Sequence, residues 1–199
     1  MKKLVGRTIG ITLAAVLGFF AVFSGIIVLF CPNVYGRIFS NLGCYSSSTW
    51  CFERQYNITK NTNDLAVLVL NLSEEDDRLN EYSYLLITDS NYSDYISSTA
   101  QKYFITEEKA EEYFYSKCAV AKFDANDFQG AMTVITSFYT KFGYTKYSPM
   151  RNLIAKRLNN FTESQVEIIT QKINSLKSQL VGEQLSFAES DLTMLNSIK

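Results

Sequence analysis

Residues 9–30 read IGITLAAVLGFFAVFSGIIVLF, and this apolar stretch decides how the fold is organised. It is 22 residues long, and no charged side chain occurs between Thr8 and Tyr35. As an α-helix it would extend for about 33 Å, slightly more than the hydrocarbon thickness of a bilayer. The stretch therefore predicts one membrane-spanning helix, through which residues 9–30 contact the membrane.

The charges on either side of this stretch predict its orientation. Lys2, Lys3 and Arg7 precede it, whereas the first cation after it is Arg37. Lysine and arginine are enriched on the cytoplasmic side of membrane helices. We therefore expect a single-pass protein of the cell membrane, with a cytoplasmic N-terminus and an extracytoplasmic C-terminal domain. The cytoplasmic tip and the membrane anchor together occupy residues 1–31.

A cleaved signal peptide is the alternative interpretation of the same stretch. A signal peptide also begins with positive charges, as this chain does. Its apolar part, however, usually has about 7–15 residues, which is shorter than the 22 residues found in this chain. A small-x-small cleavage site is also lacking. Cys31 invites comparison with a lipoprotein signal, yet the bulky Phe30 stands where such signals have a small residue. An uncleaved anchor fits these features better, and cleavage stays open as the alternative.

Small residues recur along one side of the predicted membrane helix. Ala14, Gly18, Ala21 and Gly25 are spaced by four, three and four residues. Such a stripe lets two helix backbones approach closely, so it predicts a contact with another membrane helix, including self-association. The alternative is that glycine and alanine are simply common in membrane helices.

The composition excludes several function classes. Hydrophobic residues make up 47 % of the chain and charged residues 20 %, with two prolines, which is typical of a folded protein. Histidine is absent, which rules out serine–histidine and cysteine–histidine dyads and imidazole metal ligands. Motifs such as Gly-x-Ser-x-Gly and Gly-x4-Gly-Lys are also absent. We therefore expect no enzyme, no cofactor and no metal site.

Acidic clusters are the remaining candidates for chemistry. They are residues 74–77, Glu107 with Glu108, and Glu111 with Glu112. Each lies at or near a predicted helix start, where carboxylates favour the helix dipole and stay solvated. We therefore expect them to have capping or surface roles. The four cysteines form no Cys-x-x-Cys pair and are interpreted as small hydrophobic side chains.

The charge balance argues against nucleic acid as a partner. Beyond residues 1–31, 16 basic side chains face 20 acidic ones, a balance of −4. Binding to nucleic acid depends on clustered lysine and arginine that neutralise phosphates. A mildly acidic domain lacks that excess of positive charge.

Beyond residue 31 the pattern is helical nearly everywhere. Thr162 and Gln165 form a predicted capping box, and Gly182 is placed to end the helix that follows it. Only Gly130 and Gly143 fall between residues 44 and 180, so the turn chemistry of β-hairpins is missing. The apolar stripe of the clearest helix, spaced by three and four residues, is Val166, Ile169, Ile173, Leu176 and Leu180. The sequence predicts an all-α domain.

Other helix starts are indicated by residues that favour the N-cap position. They are Asn63, Thr106, Asp127, Ser148 before Pro149, and Ser186 with Glu189. Connections between these helices are short, so consecutive helices are expected to pack antiparallel.

One spacing of small and aromatic residues recurs along the chain. A turn residue is followed by the first residue of a helix, then by a small side chain three positions later and a large one four positions after that. The large residue fills the core, while the small one lets the second helix lie close against the first. The three occurrences are Gly43 with Tyr45, Ser48 and Phe52; Asn126 with Phe128, Ala131 and Ile135; and, more weakly, residues 75–77 with Asn80 and Tyr84.

These residues resemble the tetratricopeptide-repeat family, whose helix-turn-helix units stack into a solenoid. Tyr115, Cys118 and Ala119 stand where the family usually has Trp-x2-Leu-Gly, and Gly143 stands where it usually has proline. The resemblance covers about residues 33–142. It implies an α-α solenoid over residues 32–147, with C-terminal helices in residues 148–199 that pack on or cap it. A non-repeating helical bundle is the alternative.

The interval between the second and third turns departs from the family. The first two turns, at Gly43 and Glu75, are 32 residues apart, whereas Glu75 and Asn126 are 51 apart. The longer interval predicts an inserted helix over residues 92–104.

The register of the family also implies a partner groove. Its members place the first helix of each repeat on a concave surface. In this sequence that register selects Leu65, Val69, Tyr113, Ser116, Val120 and Phe123. These residues do not match the lysines and asparagines that grip a peptide C-terminus in some members. They predict an apolar groove for a partner helix or an extended segment, or else side chains buried in the domain's own core.

These expectations together favour a binding protein. The first interpretation is a membrane-anchored, extracytoplasmic scaffold or adaptor of tetratricopeptide type, whose partners are other proteins of unknown identity. The alternative is an envelope protein that binds a peptide or a wall glycan without catalysis.

Overall fold

The computed structural model describes residues 2–104 and 106–198, and it describes side-chain surroundings for residues 10–27, 29–98 and 106–198. These residues form eleven α-helices, one short 3₁₀ turn at Leu158–Asn160 and no strand, which confirms the all-α prediction. The helices are α1 Lys2–Phe30, α2 Pro32–Asn41, α3 Tyr45–Thr59, α4 Thr62–Asn71, α5 Arg78–Thr88, α6 Tyr92–Phe104, α7 Glu107–Asp124, α8 Phe128–Phe142, α9 Pro149–Arg157, α10 Glu163–Lys177 and α11 Glu183–Asn196.

The chain divides into two units, Met1–Asn71 and Leu72–Lys199. In the first unit α2 contacts α1, and α3 contacts both α2 and α4. The domain boundaries predicted after residues 31 and 147 stay a prediction. The two units are described separately below.

Helix α1 carries the apolar stretch. Its segment Gly10–Ile27 has a mean hydropathy of 2.3, and none of that segment is buried inside the protein. By length and composition α1 can cross a membrane, and a signal sequence can have the same properties. The predicted small-residue stripe lies on this uncovered surface, with open space beside Gly18 and Gly25. The side chains of residues 1–9 and of Val28 lie outside the described set.

Helices α2 and α3 form a tightly packed pair. The Ser48 hydroxyl donates to the Gly36 carbonyl over 2.8 Å. A Cβ atom added to Gly36 would lie only 2.8 Å from Cε1 of the buried Phe52 ring. Gly36 and Ser48 thus form the close contact between small residues that the spacing of Tyr45, Ser48 and Phe52 predicts.

The turn between α2 and α3 is a Schellman motif. Gly43 adopts a left-handed conformation with φ of 75°, which glycine tolerates without steric cost. The Cys44 amide donates to the Phe39 carbonyl over 2.8 Å, and the Gly43 amide donates to the Ser40 carbonyl over 3.1 Å. These bonds satisfy the last carbonyls of α2 and reverse the chain into α3.

The same turn joins α7 and α8 in the second unit. Asn126 is left-handed with φ of 62° and occupies the position that Gly43 has in the first turn. The Asp127 amide donates to the Lys122 carbonyl over 2.8 Å, and the Asn126 amide donates to the Phe123 carbonyl over 2.9 Å. The register of the helices also corresponds, since Ala119 and Ala131, which are both buried, stand where Gly36 and Ser48 stand in the first pair.

Several predicted helix starts are confirmed. The Thr106 hydroxyl accepts from the Lys109 amide over 3.2 Å, and an Asp127 oxygen accepts from the Gly130 amide over 2.8 Å. Thr162 and Gln165 form the complete capping box. Helix α6 has the bounds of the predicted inserted helix.

Three other helix boundaries were predicted wrongly. Helix α4 begins at Thr62 because the Asn61 side chain, not that of Asn63, accepts from an early amide. Helix α10 ends at Lys177, and Gly182 instead precedes α11 with φ of 58°. The last helix therefore begins before Ser186.

The core of the second unit lies between α7, α8, α9, α10 and α11. Helix α7 contacts both α8 and α9, and α11 contacts both α9 and α10. The fully buried side chains that hold these helices together include Phe138, Ile135, Met150, Leu153, Ile154, Ile169, Ile173 and Leu195. This framework fixes the exposed face of α7 relative to α9.

The α2–α3 contact generates a test of the packing. Substitution Gly36→Leu inserts a side chain where the Phe52 ring already lies, so we expect a loss of about 1–3 kcal/mol in the free energy of unfolding. The control Asn41→Leu, at the exposed end of the same helix, should change it by less than about 0.5 kcal/mol. Urea unfolding in detergent, followed by the fluorescence of Trp50 on α3, measures both. Equal unfolding midpoints for the two variants would contradict the close packing.

Candidate functional site

Most residues of the predicted groove are buried. Leu65 and Val69 in the first unit and Val120 in the second have almost no exposed surface, and Ser116 is also buried. Phe123 is half-buried and packs edge-to-face on Phe161 with ring centroids 5.1 Å apart. Leu65, Val69, Val120 and Phe123 thus serve as core side chains and present no open apolar groove. The remaining residue, Tyr113, is 37 % exposed.

An open cleft lies beside Tyr113 and Ser116, and we call it the α7–α9 cleft. Its volume is about 360 Å³. Helix α7 contributes one face with residues spaced by three, one and three positions, the segment before α9 contributes a tyrosine, and α9 contributes an amide side chain. The lining residues are Lys109, Glu112, Tyr113, Ser116, Tyr147 and Asn152.

Two polar groups of the cleft are buried. The Ser116 Oγ atom has no hydrogen-bond partner among the described residues, although its side chain is almost fully buried. The Glu112 carboxyl accepts from the Thr145 hydroxyl, and burial raises its pKa above the usual range. A buried hydroxyl without a partner is costly, and this cost is borne at the floor of the cleft.

Tyr113 is held in place by Lys117. The Lys117 ammonium donates to the Tyr113 hydroxyl over 3.3 Å and to the Leu72 carbonyl over 2.7 Å. It also lies 5.5 Å from the centre of the Tyr113 ring. Burial lowers the pKa of Lys117 to about 8. The ring therefore keeps its orientation while one side of it faces the cleft.

The cleft groups are suited to hydrogen bonding. Asn152 carries both a donor and an acceptor, and Glu112 adds a carboxyl. Tyr113 and Tyr147, the latter 56 % exposed, add aromatic surface. Among the described residues no three cysteine, aspartate or glutamate side chains are arranged to hold a metal ion.

One acidic pair lies in an unexpected place. Glu111 and Glu112 are buried, so the expectation of a solvated surface role is wrong for them. They lie in the second turn of α7, beyond its capped end, where neighbouring segments cover them. The Tyr92 hydroxyl donates to Glu111 over 2.9 Å, and Lys141 forms an ion pair with it. Glu107 and Glu108, in contrast, are exposed in the first turn of α7, as predicted.

A second buried carboxyl anchors the last helix. Asp191 is fully buried, and it accepts a hydrogen bond from the Tyr144 hydroxyl. The Arg151 guanidinium lies 3.5 Å from its other oxygen. The spacing of Ala188, Asp191 and Leu195 by three and four positions was the available signal, because it places this acid in an apolar stripe. Sequence reasoning missed this anchor.

Comparisons with protein-family models, with curated proteins and with solved structures gave no match to this chain. The resemblance to tetratricopeptide repeats therefore stays a prediction, which depends on the residues of this chain itself. Those residues are the two corresponding turns at Gly43 and Asn126 and the small side chains at Gly36, Ser48, Ala119 and Ala131.

The buried Asp191 generates a prediction about pH. Burial raises the pKa of this carboxyl above its ordinary value of 3.8, so the folded state holds the proton more tightly than the unfolded state. The resulting stabilisation is complete below pH 3.8 and is lost as the pH rises through the folded-state pKa. As the pH is lowered towards 3.8, the second unit should therefore gain more stability in the wild type than in Asp191→Asn, and the melting temperatures of the two proteins measure this difference.

The control for this experiment is Asp94→Asn, at an exposed position on α6. This variant should keep the pH dependence of the wild type, as measured by thermal unfolding in the same buffers. An unchanged pH dependence in Asp191→Asn would contradict the role given to the buried carboxyl.

Proposed function

We propose that this chain is a membrane-anchored adaptor whose helical domain lies outside the cytoplasm and binds a segment of another protein in the α7–α9 cleft. The observation that carries the proposal is the cleft itself, where the exposed rings of Tyr113 and Tyr147 line one opening together with the amide side chain of Asn152. Protein-binding surfaces commonly combine such aromatic and hydrogen-bonding groups.

The anchoring part of the proposal is supported by α1. None of the apolar segment Gly10–Ile27 is buried, so lipid is the environment that would cover it at least cost. Lys2, Lys3 and Arg7 precede that segment, which favours a cytoplasmic N-terminus. The alternative of a cleaved signal sequence would release the domain instead.

A repeat of tetratricopeptide type is the proposed origin of the two helix pairs. The α2–α3 and α7–α8 pairs share a Schellman turn with a left-handed residue, at Gly43 and Asn126. Both also have buried small residues at corresponding positions, which are Gly36 and Ser48 in the first pair and Ala119 and Ala131 in the second. In this register α7 is the first helix of its pair, and its exposed face is the expected place for a ligand.

The dimensions of the cleft favour an extended segment. The lining residues of α7 run from Lys109 to Ser116, a rise of about 10 Å along the helix. That length matches about three residues of extended chain. Asn152 would hydrogen-bond the backbone of the segment, while Tyr113 and Tyr147 would contact its side chains.

A non-catalytic role accords with the chemistry of the chain. Histidine is absent, and the carboxyl of Glu112 is engaged by Thr145. We therefore propose binding without an enzymatic step, a cofactor or a nucleic acid. The exposed pair Tyr113 and Tyr147 also favours a second candidate, a wall glycan or wall peptide held between the two rings.

The test is crosslinking in the native membrane. A photoreactive residue in place of Tyr113 in the full-length chain should form adducts with one defined protein, and the adducts should map to a short segment of it. In pull-downs of the same protein, Tyr113→Ala should reduce capture about 30-fold, the effect of losing about 2 kcal/mol at a hot spot.

The matched control is Tyr84, an exposed tyrosine on α5 that does not line the cleft. Tyr84→Ala should leave capture unchanged. Adducts from position 113 that are no more specific than adducts from position 84 would contradict the cleft assignment. A thermal shift with wall fragments, without any protein adduct, would favour the glycan or wall-peptide candidate.

A further inference from the structure

Helix α2 has an uncovered apolar face. Val34, Ile38 and Leu42 are each about half or more exposed, and their spacing of four residues places them along one side of the helix. Gly36, on the opposite side, packs against Phe52 of α3. The helix is therefore amphipathic, and its apolar side is the one that α3 does not cover.

The end of α1 lies beside α2 and α3. One residue, Cys31, separates α1 from α2, so the ten residues of α2 lie within about 15 Å of that end. The Arg54 guanidinium of α3 donates through Nε and Nη2 to the Leu29 carbonyl, each over 3.4 Å. This carbonyl belongs to the last turn of α1, where the helix dipole favours a cation.

An exposed tryptophan lies beside Arg54. Trp50 is one helical turn before Arg54 on α3, and the Arg54 guanidinium lies 5.9 Å from the centre of the Trp50 ring. About half of the Trp50 surface is exposed. Tryptophan is enriched where membrane helices leave the hydrocarbon. Arg54 thus ties an exposed tryptophan to the end of α1 that would leave the bilayer.

The charge on this surface is compatible with lipid. Between residues 31 and 52 the one charged residue is Arg37, and Glu53 is the first acid. The Arg37 side chain donates to Asn33 over 3.2 Å and lies on the exposed flank of α2. A cation beside an apolar stripe, without a nearby acid on the same helix, is typical of helices that lie on anionic membranes.

We propose that α2 and Trp50 lie on the outer leaflet of the membrane that α1 spans, with Val34, Ile38 and Leu42 in contact with lipid. This inference depends on the proposed anchoring by α1. It implies that the α2–α3 pair sits directly on the bilayer and is not separated from it by a flexible stalk. The helix ends at Asn41, and Leu42 caps it where the Schellman turn leads into α3.

Trp50 is the single tryptophan of the chain, which makes it a direct reporter. The full-length protein would be reconstituted into vesicles of phosphatidylcholine and phosphatidylglycerol. Lipids brominated near the headgroup should quench Trp50 about twofold more strongly than lipids brominated at the chain ends, as expected for an interfacial residue. Resistance to alkaline carbonate extraction, measured on the same vesicles, reports whether α1 is inserted.

A matched pair of variants tests the apolar face. Ile38 on α2 and Ile168 on α10 are both 45 % exposed. Ile38→Asp should reduce quenching by the headgroup-brominated lipid, whereas Ile168→Asp should not change it. If Ile38→Asp does not fold, the quenching of the unaltered chain decides the proposal by itself.

The outcomes separate this inference from the proposed anchoring. An inserted α1 with Trp50 open to aqueous acrylamide and unaffected by brominated lipid would overturn the inference and leave the anchor intact. Trp50 shielded from acrylamide yet not quenched by lipid would mean that protein covers the face, which also overturns it. Extraction of the protein by carbonate would overturn the anchor and the inference together.

Discussion

The structure depends first on the apolar segment Gly10–Ile27 of α1, which none of the described side chains buries. The segment Gly10–Ile27 exposes large side chains such as Phe19, Phe20 and Val22. Apolar surface of this extent is strongly unfavourable in water and is stable in lipid. The location of the domain and the environment of α2 both follow from where α1 resides.

Close contact between small residues is the second constraint. Ser48 reaches the Gly36 carbonyl because neither residue has a larger side chain in the way, and Ala119 and Ala131 occupy the same register in the other pair. This feature could be predicted from the sequence because it depends on local spacing. The caps at Thr106, Asp127 and Thr162 and the bounds of α6 were predictable for the same reason.

The candidate site was only partly predictable. Tyr113 and Ser116 were selected by their register on one helix, and both line the α7–α9 cleft. Tyr147 and Asn152 were not selected, because only the packing of α9 against α7 brings them to the cleft. The burial of Val120, like that of Glu111, depends on neighbours that are remote in sequence, and no local pattern encodes it.

The most direct test of the proposed anchoring is a measurement of the side of the membrane on which the domain lies. All four cysteines follow the apolar stretch, and among them Cys44 is exposed and lies beyond α2. A membrane-impermeant maleimide added to intact cells should label Cys44 of a chain that still carries residues 1–31 and stays with the membrane. Labelling that occurs only after the cells are lysed, or a mature chain that begins after residue 31, would contradict it.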